Sequence, residues 1–402
     1  MLKEVLKSII LSQQDWLIPD PREIRREGIE WFSSIPPYSY IITGVRRSGK
    51  STLLKQVMHL HQSRNYFNLE DTRTAGFQVH DFRLVEELYS ELFGNNSILF
   101  FDEIQNVPEW ERYVRDATER KKIVVLTGSN ARMLSREFGT RLTGRHLDFE
   151  VFPFSYTEFL SFKNLTASAD SFGLFIINGG FPEYLNIGKP EILSTLVSDI
   201  LVRDIFSRYN LRNQEAYRQI ALFLLSNTSK EISFNKLKNA FEMGSATSVM
   251  DFLNYLTDTY LIFLVPRYDP SLKVQAKNPR KVYGIDQGLV WFFSVSSSSD
   301  QGRLLENTVF LHLKRSGKDI WYFKGKKECD FVYREKKNQY KLIQVCWKVG
   351  IENEKRETEG LLEAMNYFKV KEGTIITFDQ EDALKMNGNI IHLIPAWKWM
   401  AT

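Results

Sequence analysis

The stretch from Tyr40 to Lys55, YIITGVRRSGKSTLLK, constrains this chain more than any other. An apolar pair, Ile41-Ile42, leads into Gly44-Val45-Arg46-Arg47-Ser48-Gly49-Lys50-Ser51, which meets the pattern G-x-x-x-x-G-K-[ST] at every position. At a junction of strand and helix this spacing makes a phosphate cradle. The glycines let the backbone curl into a nest of N–H groups. The lysine reaches the β- and γ-phosphates, and the hydroxyl after it ligates Mg²⁺. A helix expected over about 51–60 points the positive end of its dipole at the same anion. The nucleotide-binding candidates are Gly44, Val45, Arg46, Arg47, Ser48, Gly49, Lys50, Ser51 and Thr52, and the nucleotide implies Mg²⁺ beside it.

Around this loop strands and helices alternate. Strands are predicted at 40–43, 64–69, 97–101 and 122–126, with helices at 51–60, from a capping Asp81 through Leu92, and at 110–120. The runs at 97–101 and 122–126 are continuously apolar, as in strands buried on both faces, and the alternation implies a parallel sheet between helical layers. Residues 1–36 read as a packing arm of one or two helices. Pro19 and Pro21 break them, and the second continues through Ile24 and Ile29.

From about Ser171 to Tyr260 the pattern is mostly helical, with helices at 190–207 and 213–226. A short helix from Ile232, a turn at Gly244-Ser245 and a longer helix from Ala246 to Leu261 follow. Strands at 261–265 and 281–285 flank a basic loop. Helix, turn, helix and β-ribbon is a winged-helix order. A serine-rich hinge at 295–299 precedes a last segment that reads helix, three strands, helix, strand.

With 402 residues, two or three domains are expected. A hydrophobic fraction of 43% with 25% charged residues fits a soluble globular protein and not a disordered one. No apolar run reaches the length of a transmembrane helix and the N-terminus lacks a cleavage site, so a cytoplasmic protein without membrane contact is expected. The two cysteines, Cys329 and Cys346, match no zinc or disulfide pattern and read as small apolar residues. A net charge of +4 is too small to argue nucleic-acid binding alone.

A second motif completes the phosphate chemistry. Ile98-Leu99-Phe100-Phe101-Asp102-Glu103 is an apolar strand ending in two carboxylates, the Walker B pattern. Asp102 would hold Mg²⁺ with Ser51, and Glu103 would polarise the attacking water. After the next strand, Asn130 or Ser129 could sense the γ-phosphate, or cap the following helix. Arg145, or alternatively Arg141, could stabilise charge in the transition state, in cis or from a neighbouring subunit. The plainer reading of either is a surface ion pair.

GVRRSGKST, LFFDEIQNVPEWE, LTGSNARML, LTGRHLDFEVFPFSYTEFL and KNPRKVYGIDQGL together resemble a bacterial and archaeal group of AAA-type P-loop ATPases. The match runs in order over about residues 15–380. Members couple the ATPase core to a winged-helix segment and a C-terminal domain of unknown function. The resemblance implies ATP, and the guanine-reading N-K-x-D motif is absent where it would be expected. It places Asn130 at sensor 1 and makes Arg145 the arginine of a Gly-Arg turn. The implied fold class is α/β. A parallel-sheet P-loop NTPase core (37–162) follows the arm (1–36). A helical and winged-helix region (163–295) and a small α/β nuclease-like domain (300–402) come after it.

The resemblance also implies that this last domain is similar to the PD-(D/E)xK nucleases. Glu306 fits the helical carboxylate and Asp330 the hairpin carboxylate. Gln344 stands where the next carboxylate belongs and Cys346 where the lysine belongs, with Lys348 a possible substitute two residues on. A retained fold with impaired cleavage is the expectation. Three basic clusters are candidate phosphate contacts for double-stranded DNA: Arg267, Lys273, Lys277, Arg280 and Lys281; Lys314, Arg315 and Lys318; Lys324, Lys326 and Lys327. The presumed recognition helix carries Asp251 and Asp258 but no lysine or arginine, which weakens base reading and leaves a protein partner open. The function expected is ATP hydrolysis that rearranges the later domains. The alternatives are a slow switch acting on a protein partner and an ATP-regulated DNA nuclease.

Overall fold

The computed structural model describes residues 1–34, 36, 38–128, 146–294, 301–336, 339–386 and 388–401. The chain divides into two compact units, Met1–Phe152 and Pro153–Thr402.

The first unit is a five-stranded parallel sheet between helices. Its strands are β1 (Ser39–Gly44), β2 (Tyr66–Asn68), β3 (Ile98–Asp102), β4 (Ile123–Gly128) and β5 (His146–Val151), in the order β2-β3-β4-β1-β5. Every recorded pairing in it is parallel. Alternation along the strands feeds two cores. Ile41, Phe67, Leu99, Phe101, Val124 and Leu126 face helices α1 (Lys3–Gln13), α3 (Asp81–Phe93) and α4 (Trp110–Glu119). Tyr40, Ile42, Tyr66, Phe100 and Val125 face α2 (Lys50–Leu60) and the 3₁₀ turn Ile29–Phe32. Side chains of period two, apolar on both faces, leave no polar side for water.

In the arm, Leu6, Ile9 and Ile10 of α1 are buried in the first core. The helix expected through Ile24 and Ile29 does not form. Gly28 takes φ +80°, and the backbone of residues 24–26 bonds instead to the side chain of Gln56, with Gln56 Nε2 donating to Ile24 O at 2.7 Å and Arg26 N donating to Gln56 Oε1 at 2.9 Å. Asp81 is also not a cap. It sits inside the first turn of its helix, where Oδ2 accepts from Gln78 N at 2.8 Å.

The second unit begins with helices α5 (Tyr156–Lys163), α6 (Ala169–Asn178), α7 (Pro182–Ile187) and α8 (Glu191–Asp199), which runs on as a π-helical turn, Ile200–Phe206. Then come α9 (Gln214–Ser226), β6 (Glu231–Ile232), α10 (Phe234–Ala240), α11 (Ala246–Asp258), β7 (Ile262–Pro266), α12 (Leu272–Lys277) and β8 (Arg280–Gly284), the strands pairing in the order β6-β8-β7. The basic connection read as a loop is thus partly helical. Ser245 starts α11, its hydroxyl accepting from Ser248 N at 3.0 Å.

Helix α13 (Gln287–Phe293) follows, then α14 (Gln301–Arg315), β9 (Ile320–Lys324), β10 (Glu328–Lys336), β11 (Gln339–Val345), α15 (Glu354–Phe368) and β12 (Glu372–Thr377). This is the helix, three-strand, helix, strand order expected from sequence. A final β13 (Asp382–Met386), β14 (Asn389–Pro395) and α16 (Ala396–Met400) extend it to a six-stranded mixed sheet, β13-β14-β12-β11-β10-β9. Buried Asn307 ties α14 to the smaller sheet. Its Oδ1 accepts from Thr228 Oγ1 and Gly284 N, each at 2.8 Å, and its Nδ2 donates to Gly284 O at 3.2 Å. Cys329 and Cys346 are buried and unpaired with each other, in keeping with their reading as small apolar residues.

Candidate active site

The carboxyl ends of β1, β3 and β4 bring the sequence candidates of the first unit together. β1 ends at Gly44 with φ +147°, and the loop closes at Gly49 with φ +92°, a conformation that costs glycine little. A Cβ on Gly44 would lie 2.1 Å from Val151 O, so the first glycine also serves a close approach of two backbones. Arg47, between them, is left-handed at φ +63°. Lys50 opens α2 and is buried, with Nζ donating to Gly44 O at 3.2 Å and Val45 O at 3.0 Å, so its ammonium lies across the concave side of the loop. Ser48 Oγ is buried and has no hydrogen-bond partner among the described residues, an unmet polar atom within the loop itself.

Asp102, at the end of β3, is buried and receives three hydroxyls. Ser51 Oγ donates to Oδ1 at 3.1 Å, Tyr66 OH donates to Oδ2 at 3.1 Å, and Thr127 Oγ1 donates to Oδ1. Burial, and then the neighbouring Glu103 charge, push its carboxyl above the usual range, while the three hydroxyls pull it back. Glu103 follows in the left-handed region at φ +54°, with Gln105 Nε2 donating to its Oε2. Its amide donates to Thr127 Oγ1 at 2.9 Å. One threonine therefore touches both acidic positions.

Ser51 and Asp102 offer hard oxygen donors in contact, which suit Mg²⁺. That ion keeps most of its waters and takes one or two protein oxygens plus substrate phosphates. Among the described residues no group of three His, Cys, Asp or Glu side chains converges as a metal site.

Three contributors were not found from sequence. Thr127 lies near the end of β4, just past the strand predicted at 122–126, and Tyr66 lies in β2; neither was singled out. Arg26 lies in the arm and is 5% exposed. Its Nη1 donates to Ser48 O at 2.6 Å and its Nη2 to Phe152 O at 2.8 Å, and a Cβ on Gly49 would come within 2.3 Å of Nη1. The P-loop is thus braced from behind by a buried guanidinium. Nothing local in the sequence marks these three. The sequence candidates Ser129, Asn130, Arg141 and Arg145 lie outside the described residues.

The second unit gathers Glu306, Asp330 and Gln344. Gln344 Oε1 accepts from Asp330 N at 3.3 Å, and its Nε2 donates to Glu357 Oε2 at 2.9 Å. Lys348 does not join them by strand alternation, because β11 ends at Val345 and Lys348 is exposed beyond it. The lysine that does meet these carboxylates is Lys281, which was expected to contact phosphates. It is 2% exposed, with Nζ 3.0 Å from Glu306 Oε1 and 3.0 Å from Asp330 Oδ1. Other expected phosphate contacts are similarly engaged. Arg315 donates to Pro153 O at 2.7 Å, Arg267 donates to Lys324 O, and Lys324 pairs with Glu231 at 2.8 Å. Lys273 and Lys277 on α12 are exposed.

Residues 37–160 match the model of the AAA domain, and residues 169–299 match a domain of unknown function. An uncharacterized protein of Methanocaldococcus jannaschii is 33% identical over 92% of this chain and 89% of its own length. An uncharacterized protein of Haemophilus influenzae is 28% identical over 82% of this chain and 87% of its own length. Among solved structures, the Orc1 protein of Aeropyrum pernix in complex with DNA aligns with 69% of this chain and 94% of that chain, at 10% identity and a TM-score of 0.33. A likeness that remote carries nothing over to this chain. Among the described residues no helix is long and apolar enough to cross a membrane.

Proposed function

The chain belongs to the same family as the Methanocaldococcus jannaschii protein and carries an AAA domain, and on that premise we propose that it hydrolyses ATP with Mg²⁺ by in-line attack of water. The observation that carries the reading is Asp102 accepting from Ser51 of the P-loop while Thr127 joins it to the Glu103 amide. In this reading the loop amides and Lys50 hold the β- and γ-phosphates. Lys50 exchanges its bonds to Gly44 O and Val45 O for phosphate oxygens, and Ser48 Oγ gains the partner it lacks. Mg²⁺, held by Ser51 and by Asp102 through water, supplies charge neutralisation at those oxygens. Glu103 orients the attacking water and accepts its proton, released from Gln105 for the purpose. Asn130 as sensor and Arg145 as the stabilising arginine remain part of the proposal.

The second unit is the proposed responder. The order α9, β6, α10, α11, β7, α12, β8 supports a winged-helix reading, and the α14-to-β12 order supports a nuclease-like sheet. A protein partner is favoured over DNA, because Lys281, Lys324, Arg267 and Arg315 are engaged within the unit and α11 carries no basic residue.

The test is steady-state ATP hydrolysis by wild type, Lys50→Ala and Glu103→Gln, each with and without double-stranded DNA. The expected result is turnover in wild type, loss of ATP binding in K50A, retained binding without turnover in E103Q, and no rise with DNA. ATP binding without any wild-type turnover would replace the hydrolase by a switch. No binding at all would refute the proposal.

A further inference from the structure

A PD-(D/E)xK-like site calls for a divalent metal held by Glu306, Asp330 and a third carboxylate, and the residues present do not fit one. Gln344 is neutral and is engaged by the Asp330 amide and Glu357. The space between the carboxylates belongs to Lys281, which enters from β8 of the neighbouring small sheet. Its Nζ lies 3.0 Å from Glu306 Oε1, 2.8 Å from Glu328 Oε1 and 3.0 Å from Asp330 Oδ1.

We propose that the Lys281 ammonium is the resident cation of this carboxylate cluster, a tethered replacement for the divalent metal. The ammonium donates to Glu306 Oε1 and Asp330 Oδ1, and Glu328 Oε1 adds an ion pair at 2.8 Å. The distances are those of charge-assisted hydrogen bonds. They are far longer than the roughly 2.0–2.1 Å at which Mg²⁺ binds oxygen. Other lone pairs are filled as well, because Tyr283 OH donates to Glu306 Oε1 at 2.7 Å and Val345 N donates to Asp330 Oδ2 at 3.0 Å. Lys324 Nζ stands 3.5 Å from Glu328 Oε2, so a second lysine shields the rim.

The charge balance agrees. Burial works against a charged Lys281, yet Glu306, Asp330 and Glu328 around it hold its pKa well above the ordinary lysine value. A single positive charge leaves the carboxylates undercompensated. Burial and then the Asp330 charge push the Glu306 carboxyl up to about 7. The inference goes beyond ATP hydrolysis and stands whether or not the first unit turns ATP over. It makes the cluster a clasp between β8 and the six-stranded sheet, with no room for a nuclease metal.

The test uses the full chain without nucleotide, with melting temperature and Mn²⁺ electron paramagnetic resonance as readouts. Wild type should bind no Mn²⁺ at this cluster, and its melting temperature should not respond to 1 mM (about) Mn²⁺. Lys281→Ala and the bulkier Lys281→Met should melt several degrees lower, since buried Asp330 and partly buried Glu306 and Glu328 lose their counter-charge. Mn²⁺ should bind both and restore the loss, and adding Asp330→Asn should abolish the rescue. Wild-type Mn²⁺ binding that disappears in D330N would overturn the proposal, because metal and lysine would then coexist. It is equally overturned if neither variant recovers structure in Mn²⁺, since a vacated cation position should accept the ion. ATP turnover in the same preparations reports separately on the first unit.

Discussion

Replacing Arg26 by methionine should loosen the P-loop through Ser48 while leaving the residues proposed to meet nucleotide in the chain. The guanidinium makes bonds of 2.6 Å to Ser48 O and 2.8 Å to Phe152 O. Hydrogen bonds to a charged group contribute about 1.5–3 kcal/mol each, so the two together represent roughly 3–6 kcal/mol, and the carbonyls left behind in a buried site add a desolvation cost. Methionine recovers part of this by filling the space with apolar atoms. A net loss of about 2–4 kcal/mol in the unfolding free energy of the first unit is expected, read by urea titration. The nucleotide effect is separable. If the Ser48 carbonyl is no longer held, binding must order the loop, at about 1–2 kcal/mol per residue. Two residues then weaken the ATP dissociation constant by at least tenfold, read by calorimetry with Mg²⁺. Arg26→Lys, which keeps the charge but lacks the fork that reaches two carbonyls, should fall between. An R26M protein that is destabilised yet binds ATP within twofold of wild type would show that Arg26 supports packing and not the loop. One that is neither destabilised nor weakened would refute the argument from its first step.

Thr127→Val keeps shape but removes the donor to Asp102 and the acceptor of the Glu103 amide. Turnover should fall at least tenfold with ATP affinity within about threefold, and an unchanged kcat would remove Thr127 from the positioning set. The second unit should lose stability as pH rises from 5 to 8. Asp286, whose carboxylate accepts from Gly180 N and Leu289 N, is pushed up to about 6 by burial, and Glu306 to about 7. Both folded values lie above the unfolded ones, so the folded state binds more protons through this window and stability drops across it. For Asp286 the shift corresponds to on the order of 3 kcal/mol. The stability difference between wild type and Asp286→Asn, measured by denaturation at each pH, should shrink accordingly, and a pH-independent difference would contradict the assignment.

The parts legible in the sequence were those whose chemistry is contiguous. Gly44 to Ser51 and Leu99 to Glu103 carry their own spacing, and the strands around them are apolar without interruption, so the core sheet could be read directly. What escaped depends on distant partners. Arg26 acts on a loop 22 residues away, and Ile24 and Ile29 suggested a helix because their apolar spacing hid a backbone bonded to Gln56. Lys281 shows the same limit in charge. A lysine in a basic stretch reads as solvent-facing, and only the fold reveals that Glu306, Glu328 and Asp330 enclose it. Strand alternation holds only as far as Val345, so it showed neither that Lys348 lies outside the carboxylate cluster nor that Lys281 of β8 enters it.

The order β2-β3-β4-β1-β5 sets a gauge for the chemistry. β4 stands between the strand that delivers the P-loop and the strand that delivers Asp102, so the two arrive on rails about 10 Å apart, two strand spacings. That span is fixed by backbone ladders, which no side-chain substitution can retune. Evolution of this chain could therefore exchange the residues at the strand tips freely, as a workshop changes bits in one chuck, while the width offered to a triphosphate stayed constant. A slip in register of β4 would leave that width unchanged but would turn Val124 and Leu126 out of one core and Val125 out of the other.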